Sequence, residues 1–502
     1  MAKANSYGEL KRRMKEVALL HSTGGILEWD QQTYMPARGT AHRAEMTSQA
    51  ARLAHGMFTD PRVGELLGEL EESDLAKRPA SVEAANIREL RRRYDKQTRL
   101  SPELVEELNK TTALAHEQWK DARERSDFKR FEPWLVKVLA LVRKKAEAYG
   151  GEPYNALLDE YEPGAQVAAL DGVFTDLRRG LTTLLEKIRG AAKRPDRSII
   201  ERPYDVARQR ILGESVIQAM GFDFNAGRLD VTTHPFCVGI GPGDTRILTN
   251  YKPHNLIDAL FSSMHEAGHG LYEMGLDKAA EFGMPAGEAA SMGMHESQSR
   301  IWENQIGRSL PFWSYFFPQA QRLFRTQLAG VTLDDFYGAV NIVQPSYIRV
   351  ESDEVTYNLH ILLRYELERL LVDGELKPKD VPGEWDARFK KYFGLEVDRP
   401  ANGCLQDVHW SAGLIGYFPT YTLGNIYSAQ FYARAQADIP DLESRVSRGE
   451  FQGFRDWLRK NIHIHGRRYR ADDLCRRVTG RGMDHEPLLQ YLEKKFSALY
   501  SP

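Results

Sequence analysis

The segment HNLIDALFSSMHEAGHGLYEMG, residues 254–275, has the periodicity of an amphipathic α-helix. Its apolar positions recur at the spacing of helical turns and include Leu256, Leu260, Met264 and Leu271. A stripe of this kind predicts that one face of the helix packs into the protein interior. The predicted helix is the reference point for the segments on either side of it.

Two histidines and a glutamate lie within five residues of this helix, as His265, Glu266 and His269. Because each helical residue advances by about 100°, the two histidines share one face and can bind a single metal ion. Glu266 projects beside that ion, where a carboxylate can take a proton from the water that the metal activates. This is the geometry of a zinc hydrolase. With 14 histidines in the chain, such a motif arises by chance in on the order of a few per cent of sequences, so it does not decide the function alone.

Gly268 and Gly270 flank the second histidine, although a glycine inside a helix costs about 1 kcal/mol relative to alanine. Such a cost is typical of a close approach by another backbone or by a substrate. A loose packing contact is the alternative. The two glycines therefore predict a close neighbour on this face of the helix.

A catalytic zinc ion needs a third protein ligand and an open fourth position. The following segment, residues 287–307, is helical in pattern and offers Glu288, Glu296 and Glu303. Glu273 competes with them, one turn further along the first helix. A ligand from the same helix would have to reach back over the metal, so we predict Glu296 and place the zinc-binding helices at about residues 254–307.

The rest of the chain is predicted to be mostly helical. At 502 residues it exceeds the roughly 250–300 at which one hydrophobic core stops growing, so we expect two lobes with a groove between them. Consecutive helical patterns run from about residue 7 to 150, and they resume after residue 251. β-Branched residues and turn glycines in RLDVTTHPFCVGIGPGDTRILTNY, residues 228–251, predict a small β-hairpin. It ends shortly before the histidines, so we expect it to border the same site.

Composition excludes several classes of function. Lys plus Arg is 68 and Asp plus Glu is 70, a formal net charge of −2, so no overall field favours nucleic acid or an anionic membrane. Three scattered cysteines are too few for a disulfide framework or a thiolate zinc site. The N-terminus lacks the apolar core of a secretory signal, and no run of about 18 apolar residues occurs. We therefore expect a cytoplasmic protein.

Several spaced motifs together resemble the carboxypeptidase Taq family of zinc metallocarboxypeptidases. They are HPF at 234–236, DTRILT at 244–249, HEAGH at 265–269, HESQ at 295–298, IRVESD at 348–353 and GCLQDVHW at 403–410. WDQQTYMP at 29–36 and IHIHGRRYRADDLCRRVTG at 462–480 are also similar to the family. The resemblance covers nearly the whole chain, and it implies one metallocarboxypeptidase domain over residues 1–502.

The resemblance implies a fold of two helical halves flanking a long groove, similar to neurolysin, with a small β-sheet near the active site. It makes His265, His269 and Glu296 the zinc ligands and Glu266 the general base. It also implies that the His-Pro-Phe and Asp-x-Arg-x-Thr segments shape the closed end of the groove and limit how substrate lies in it, with His234, Asp244 and Arg246 as substrate-binding residues. A plain hairpin is the alternative. Homodimers are usual in the family, so a homodimer is expected.

Three further side chains are candidates for the active site, one for binding the substrate and two for catalysis. The planar guanidinium of Arg349 suits bidentate recognition of a peptide's terminal carboxylate, and a structural ion pair with Glu351 or Asp353 is the alternative. His409 and Tyr421 could donate hydrogen bonds to the oxyanion that forms when water attacks the peptide carbonyl. Ordinary buried positions in the core are the alternative for both.

The predicted function is a zinc-dependent exopeptidase that releases single residues from the C-terminus of peptides, with Co²⁺ as a possible substitute metal. The nearest alternative is an endopeptidase or a dipeptidyl carboxypeptidase on the same fold. A non-catalytic helical scaffold holding structural zinc is a different class. Structural sites are normally closed by four protein ligands, and only three are evident here.

Overall fold

The structure is a computed structural model that describes residues 2–192 and 194–500. This part of the chain contains 21 α-helices and one small sheet, which confirms the prediction of a mostly helical fold. The helices are α1 (Ala2–Thr33), α2 (Thr40–Phe58), α3 (Pro61–Glu71), α4 (Val82–Arg99), α5 (Pro102–Arg125), α6 (Phe128–Tyr149), α7 (Pro153–Leu158), α8 (Val167–Gly190), α9 (Val206–Met220), α10 (Leu256–Gly275), α11 (Lys278–Glu281), α12 (Met292–Arg300), α13 (Leu310–Leu323), α14 (Leu333–Val340), α15 (Tyr357–Asp373), α16 (Val381–Phe393), α17 (Pro419–Asp438), α18 (Leu442–Val446), α19 (Gln452–Asn461), α20 (Ala471–Thr479) and α21 (Glu486–Leu499).

The sheet has three strands, β1 (Gly227–Val231), β2 (Cys237–Gly241) and β3 (Asp244–Thr249), in the order β1-β3-β2. β2 and β3 pair antiparallel across the turn that contains Gly243, whose φ is 77°, so a hairpin is present there. The prediction of one hairpin over residues 228–251 is wrong for the first part of that segment. β1 is a separate strand that pairs parallel to β3, with Gly227 opposite Thr245 and Val231 opposite Thr249.

The described residues form two compact units, and each takes three stretches of the chain. Unit 1 comprises the residues up to Gln97 together with Pro195–Asn341 and Tyr427–Met483. It holds the sheet, which packs against α10, and α10 also packs against α9 and α12. The predicted apolar stripe of α10 is buried in this core, because Leu256, Leu260, Met264 and Leu271 are each at most 5% exposed.

Unit 2 comprises Thr98–Arg194, Ile342–Ile426 and the residues from Asp484 onward. Helices α5 and α6 pack together, and α15 contacts α6, α7, α8 and α16. Much of α15 is fully buried, including the side chains of Arg364 and Glu368. Unit 2 therefore has charged groups inside its helical core.

None of the described helices combines the length and the apolarity that crossing a lipid bilayer requires.

Candidate metal centre

Helix α10 presents His265 and His269 on one face, one turn apart. The helix begins after Asn255, whose side-chain oxygen accepts hydrogen bonds from the backbone N–H groups of Ile257 and Asp258, both at 3.1 Å. This cap satisfies donors that the first helical turn leaves without partners. The buried apolar stripe sets the rotation of the helix about its axis, and the two histidines are only partly buried.

The glycines of α10 allow its neighbours to approach closely, as the sequence predicts. A Cβ atom at Gly268 would lie 2.5 Å from the carbonyl oxygen of Gln298 and 2.7 Å from the Cα of Ser299. At Gly270 a Cβ would lie 2.8 Å from the ring of Phe222. The backbone of α12 therefore packs directly against α10, beside the second histidine.

This contact brings Glu296 of α12 to the two histidines. Its Oε2 atom lies 3.5 Å from the Nε2 of His265 and 3.5 Å from the Nε2 of His269. One nitrogen or oxygen from each of the three side chains falls within 4.8 Å of the others, so they form a candidate metal-binding group. Glu273, the competing carboxylate, lies elsewhere, because its Oε1 is 2.8 Å from His295 Nε2 and its Oε2 pairs with Lys278.

The chemistry of these donors fits a zinc ion. Zinc accepts imidazole nitrogen and carboxylate oxygen at about 2.0–2.2 Å. In a tetrahedral site with bonds of that length, neighbouring ligand atoms are about 3.3 Å apart, close to the 3.5 Å that separates Glu296 Oε2 from the Nε2 atom of each histidine. Three protein donors also leave a fourth position for water or substrate, as catalytic sites require.

Two more charged side chains surround the group. Glu303, one of the carboxylates considered as a third ligand, contacts the far side of an imidazole instead, with Oε2 2.9 Å from the Nδ1 of His265. Arg300 donates to Glu296 Oε1 at 2.7 Å and to Glu303 Oε2 at 3.0 Å. Sequence reasoning overlooked Arg300, although its position four residues after Glu296 is the spacing of a helical ion pair.

Glu266 is 7% exposed beside the histidines. Burial raises its pKa to about 7, an effect that His265 opposes and that the carboxylates of Glu296 and Glu303 reinforce. A carboxyl group with a pKa near neutrality can both accept and release a proton at neutral pH. Burial and the neighbouring His295 lower the pKa of His269 to about 3, which keeps its imidazole neutral and able to bind a metal.

Of the three candidates for substrate binding near the sheet, two contact each other. Asp244 accepts both arms of Arg246, at 3.0 Å and 2.8 Å, and the guanidinium of Arg246 lies 4.2 Å from the ring centre of Trp29. Trp29, in the WDQQTYMP segment, also donates to Asp230 at 3.0 Å. His234 is exposed in the loop between β1 and β2.

Arg349 belongs to unit 2, where it is 6% exposed. Its Nε donates to Asp407 at 2.9 Å and its Nη1 donates to Tyr357 at 3.2 Å. Asp407 also pairs with Arg364 at 2.6 Å, so two guanidinium groups share one carboxylate. Asp353, considered as the ion-pair partner, instead accepts the backbone N–H groups of Val355 and Thr356. Sequence reasoning missed Asp407 as the partner.

His409 and Tyr421 lie together in unit 2, with His409 Nε2 3.3 Å from the hydroxyl of Tyr421. His409 is 9% exposed, and burial is the main reason that its pKa falls to about 4. The Tyr421 ring centre is 5.1 Å from the guanidinium carbon of Arg349. The structure therefore brings together Arg349, the candidate for substrate binding, and the two candidates for donating to the oxyanion.

Comparisons with known proteins agree with one another. The family described as carboxypeptidase Taq (M32) metallopeptidase matches residues 9–496. Thermostable carboxypeptidase 1 of Thermus thermophilus is 48% identical over 99% of both chains, and carboxypeptidase 1 of Bacillus subtilis is 35% identical over 97% of both. The crystal structure of an M32 carboxypeptidase from Deinococcus radiodurans superimposes with a TM-score of 0.95 at 39% identity, covering 99% of this chain and 100% of that one.

Proposed function

We propose that this chain, which belongs to the carboxypeptidase Taq (M32) family of metallopeptidases and is a carboxypeptidase, uses zinc to release single residues from the free C-terminus of peptides. The observation that carries the proposal is the grouping of His265, His269 and Glu296, with Glu266 beside them. Three donors with an open position favour a catalytic over a structural metal.

A zinc ion bound by these three side chains would supply Lewis-acid chemistry, which activates water and polarises the scissile carbonyl. Glu266 is the proposed general base: its carboxylate accepts the proton of the attacking water and then passes it to the leaving amine. A pKa of about 7, which results mainly from burial, supports both halves of this transfer. Cobalt fits the same donors and is the proposed substitute metal.

Arg349 is the proposed group that recognises the terminal carboxylate of the peptide. Asp407 alone neutralises neither guanidinium fully, because Arg349 and Arg364 share it. A substrate carboxylate would add a second negative charge and accept charge-assisted hydrogen bonds. His409 and Tyr421 are the proposed hydrogen-bond donors to the oxyanion of the reaction.

The remaining proposals follow from family membership. Asp244 and Arg246, with His234 in the loop before β2, are proposed to limit how the peptide lies on the enzyme. The bidentate Asp244–Arg246 pair, stacked on Trp29, is a rigid arrangement that suits such a role. The protein is also proposed to form a homodimer, which sedimentation would test directly.

Two peptides that differ only in a free or an amidated C-terminus test the exopeptidase proposal. The wild-type enzyme should release single residues from the free acid and leave the amide almost untouched, as mass spectrometry of the products would show. In Arg349→Ala, kcat/KM for the free acid should fall by about one to two orders of magnitude, because the free energy of one buried charge-assisted contact is lost. The variant should keep its metal.

Arg179→Ala is the matched control, because Arg179 is an exposed arginine of unit 2 that pairs with a neighbouring aspartate on α8. It should retain the full preference for the free acid. If the wild type cleaves both peptides equally, it does not require a free C-terminus. That result would favour endopeptidase cleavage and refute the proposed release of single C-terminal residues. If Arg349→Ala keeps the preference, another cation recognises the carboxylate.

A further inference from the structure

Arg300 connects two of the side chains around the candidate metal group. Its Nε donates to Glu296 Oε1 at 2.7 Å and its Nη1 donates to Glu303 Oε2 at 3.0 Å. The side chains of Glu296, Arg300 and Glu303 are 9%, 14% and 12% exposed, so little water competes for these contacts. Hydrogen bonds between ionised groups in such surroundings are strong and direction-dependent.

The contact with Arg300 divides the two oxygens of Glu296 between different tasks. Oε1 is turned toward Arg300, while Oε2 accepts a hydrogen bond from Ser299 Oγ at 3.1 Å and lies 3.5 Å from both imidazole nitrogens. A carboxylate without such a partner can bind a metal through one oxygen or both. Because Oε1 is held by a cation, whereas the hydroxyl of Ser299 beside Oε2 is neutral, Glu296 is directed to bind a metal through Oε2, which would leave coordination space for water and substrate.

Glu303 acts on His265 from the opposite side of the ring. Its Oε2 is 2.9 Å from Nδ1, so this carboxylate occupies the Nδ1 side of the ring and leaves Nε2 facing Glu296. A carboxylate in this position fixes both the tautomer and the orientation of a metal-binding histidine. His269 is held differently: among the described residues its Nδ1 has no hydrogen-bond partner, and its ring stacks on that of His295 at 4.3 Å.

An unusual stretch of helix places Glu303 there. Arg300 is the last residue of α12, and the chain continues as a π-helical segment over Ile301–Ile306. The wider turn of a π-helix changes the direction of every side chain that follows, and such segments occur frequently at functional sites. The π-helical segment packs against α10, the helix that bears both histidines.

We propose that Arg300 and Glu303 are a pair of positioning residues for the metal, which hold Glu296 as a one-oxygen ligand and His265 with Nε2 toward the ion. This inference rests on the proposed metal site and adds two residues to it. Neither residue binds the metal or the substrate. Their effect is on how tightly and in what geometry the metal is held, and this distinguishes them from the proposed general base Glu266.

The test measures the rate at which a chromogenic chelator removes zinc from the full-length, zinc-loaded protein. Glu303→Ala and Arg300→Met should each speed zinc loss by about 10- to 100-fold, the usual effect of losing an outer partner of a metal ligand. Glu303→Gln keeps an acceptor for the Nδ1 proton and should recover part of the loss. The visible spectrum of the cobalt-loaded proteins should change in Arg300→Met, because Glu296 gains freedom to bind through both oxygens.

Glu273→Gln is the control, since Glu273 is a partly buried carboxylate of α10 that pairs with Lys278 and His295 rather than with a metal ligand. It should release zinc at nearly the wild-type rate. Wild-type zinc retention and an unchanged cobalt spectrum in Arg300→Met and Glu303→Ala would overturn the inference. If Arg300→Met does not fold, Arg300→Lys, which reaches one carboxylate only, replaces it in the same comparison. A wild-type protein that holds no metal would overturn the metal site itself, and the inference with it.

Discussion

Glu266 and the neighbouring histidines have separable tasks in the proposed reaction. Glu266→Gln removes the proton acceptor without touching a metal donor, so zinc content should stay near one per chain while turnover falls by about 10²- to 10⁴-fold. His265→Ala removes a donor and should lose the ion. Elemental analysis measures the zinc content of each variant, and peptide hydrolysis by the same preparations measures turnover. Near-normal turnover in Glu266→Gln would refute the role of Glu266 as general base.

We expect Glu368 to make the stability of the protein depend on pH. It is fully buried in unit 2 and accepts hydrogen bonds from Tyr154, Trp410 and the backbone of Gly416 at 2.8, 3.0 and 3.1 Å. Burial raises its pKa from 4.5 to about 7 despite these donors. Between those two values the folded protein binds the proton and the unfolded chain releases it, so this group's contribution to stability falls as pH rises through that window.

Urea unfolding of the metal-free protein between pH 4.5 and 7 measures this contribution. Glu368 alone should lower the free energy of unfolding by up to about 1.4 kcal/mol per pH unit, and Glu368→Gln should remove that part of the slope. Slopes are compared because glutamine cannot accept all three hydrogen bonds, which lowers the stability of the variant at every pH. Parallel curves for the two proteins would contradict the role of Glu368.

Single residues were predictable where their partners are close in sequence. His265 and His269 share a face because a helical turn separates them, and that spacing is visible in the chain. Arg349 and Asp407 are 58 positions apart, so local pattern gives no reason to pair them. Glu303 had the right chemistry, but its contact with His265 depends on a π-helical turn that hydrophobic periodicity does not indicate.

At the scale of helices, the contact between α10 and α12 assembles the metal-binding group. A methyl group at Gly268 would meet the backbone of Gln298 and Ser299, and backbone atoms cannot rotate away as side chains do. Gly268→Ala should therefore separate the helices, lower stability by about 1–3 kcal/mol and weaken zinc binding. Calorimetry and the chelator assay measure the two effects.

Gly68→Ala is the comparison for this substitution. Gly68 also lies inside a helix of unit 1, α3, but apart from the backbone of its own helical turns no atom of the described residues lies within 4 Å of a Cβ there. Alanine at this position should raise stability by about 0.5–1 kcal/mol, because it restricts the unfolded chain without a clash. Similar effects of the two substitutions would mean that helix propensity, and not the close approach of α12, decides the outcome at Gly268.

The sheet illustrates why element type is easier to predict than pairing. The turn through Gly243 joins β2 to β3 within a few residues, so glycine and proline between β-branched runs were enough to indicate a hairpin. The parallel pairing of β1 with β3 joins residues 18 positions apart, such as Gly227 and Thr245. Alternation of apolar residues predicts a strand but does not specify its neighbour.

At the scale of the whole molecule, the two units are each built from three separate stretches of the chain. Length and composition predicted more than one core, because 502 residues exceed what a single core accommodates. They did not predict that the chain passes repeatedly between units. Boundaries such as Gln97, within α4, and Ile426, within α17, fall inside continuous helices, where no change in composition marks them.

Because His265, His269 and Glu296 all belong to unit 1, metal binding should stabilise that unit selectively. A ligand at 1,000 times its dissociation constant stabilises the state that binds it by about 4 kcal/mol. Adding zinc to the metal-free protein should therefore slow amide hydrogen exchange in α10 and α12, as mass spectrometry of peptic fragments would record. Fragments from α8 and α21 of unit 2 serve as the internal reference and should change little. Equal protection of both units would mean that they unfold as one cooperative body, and unchanged exchange in α10 would mean that the metal binds elsewhere.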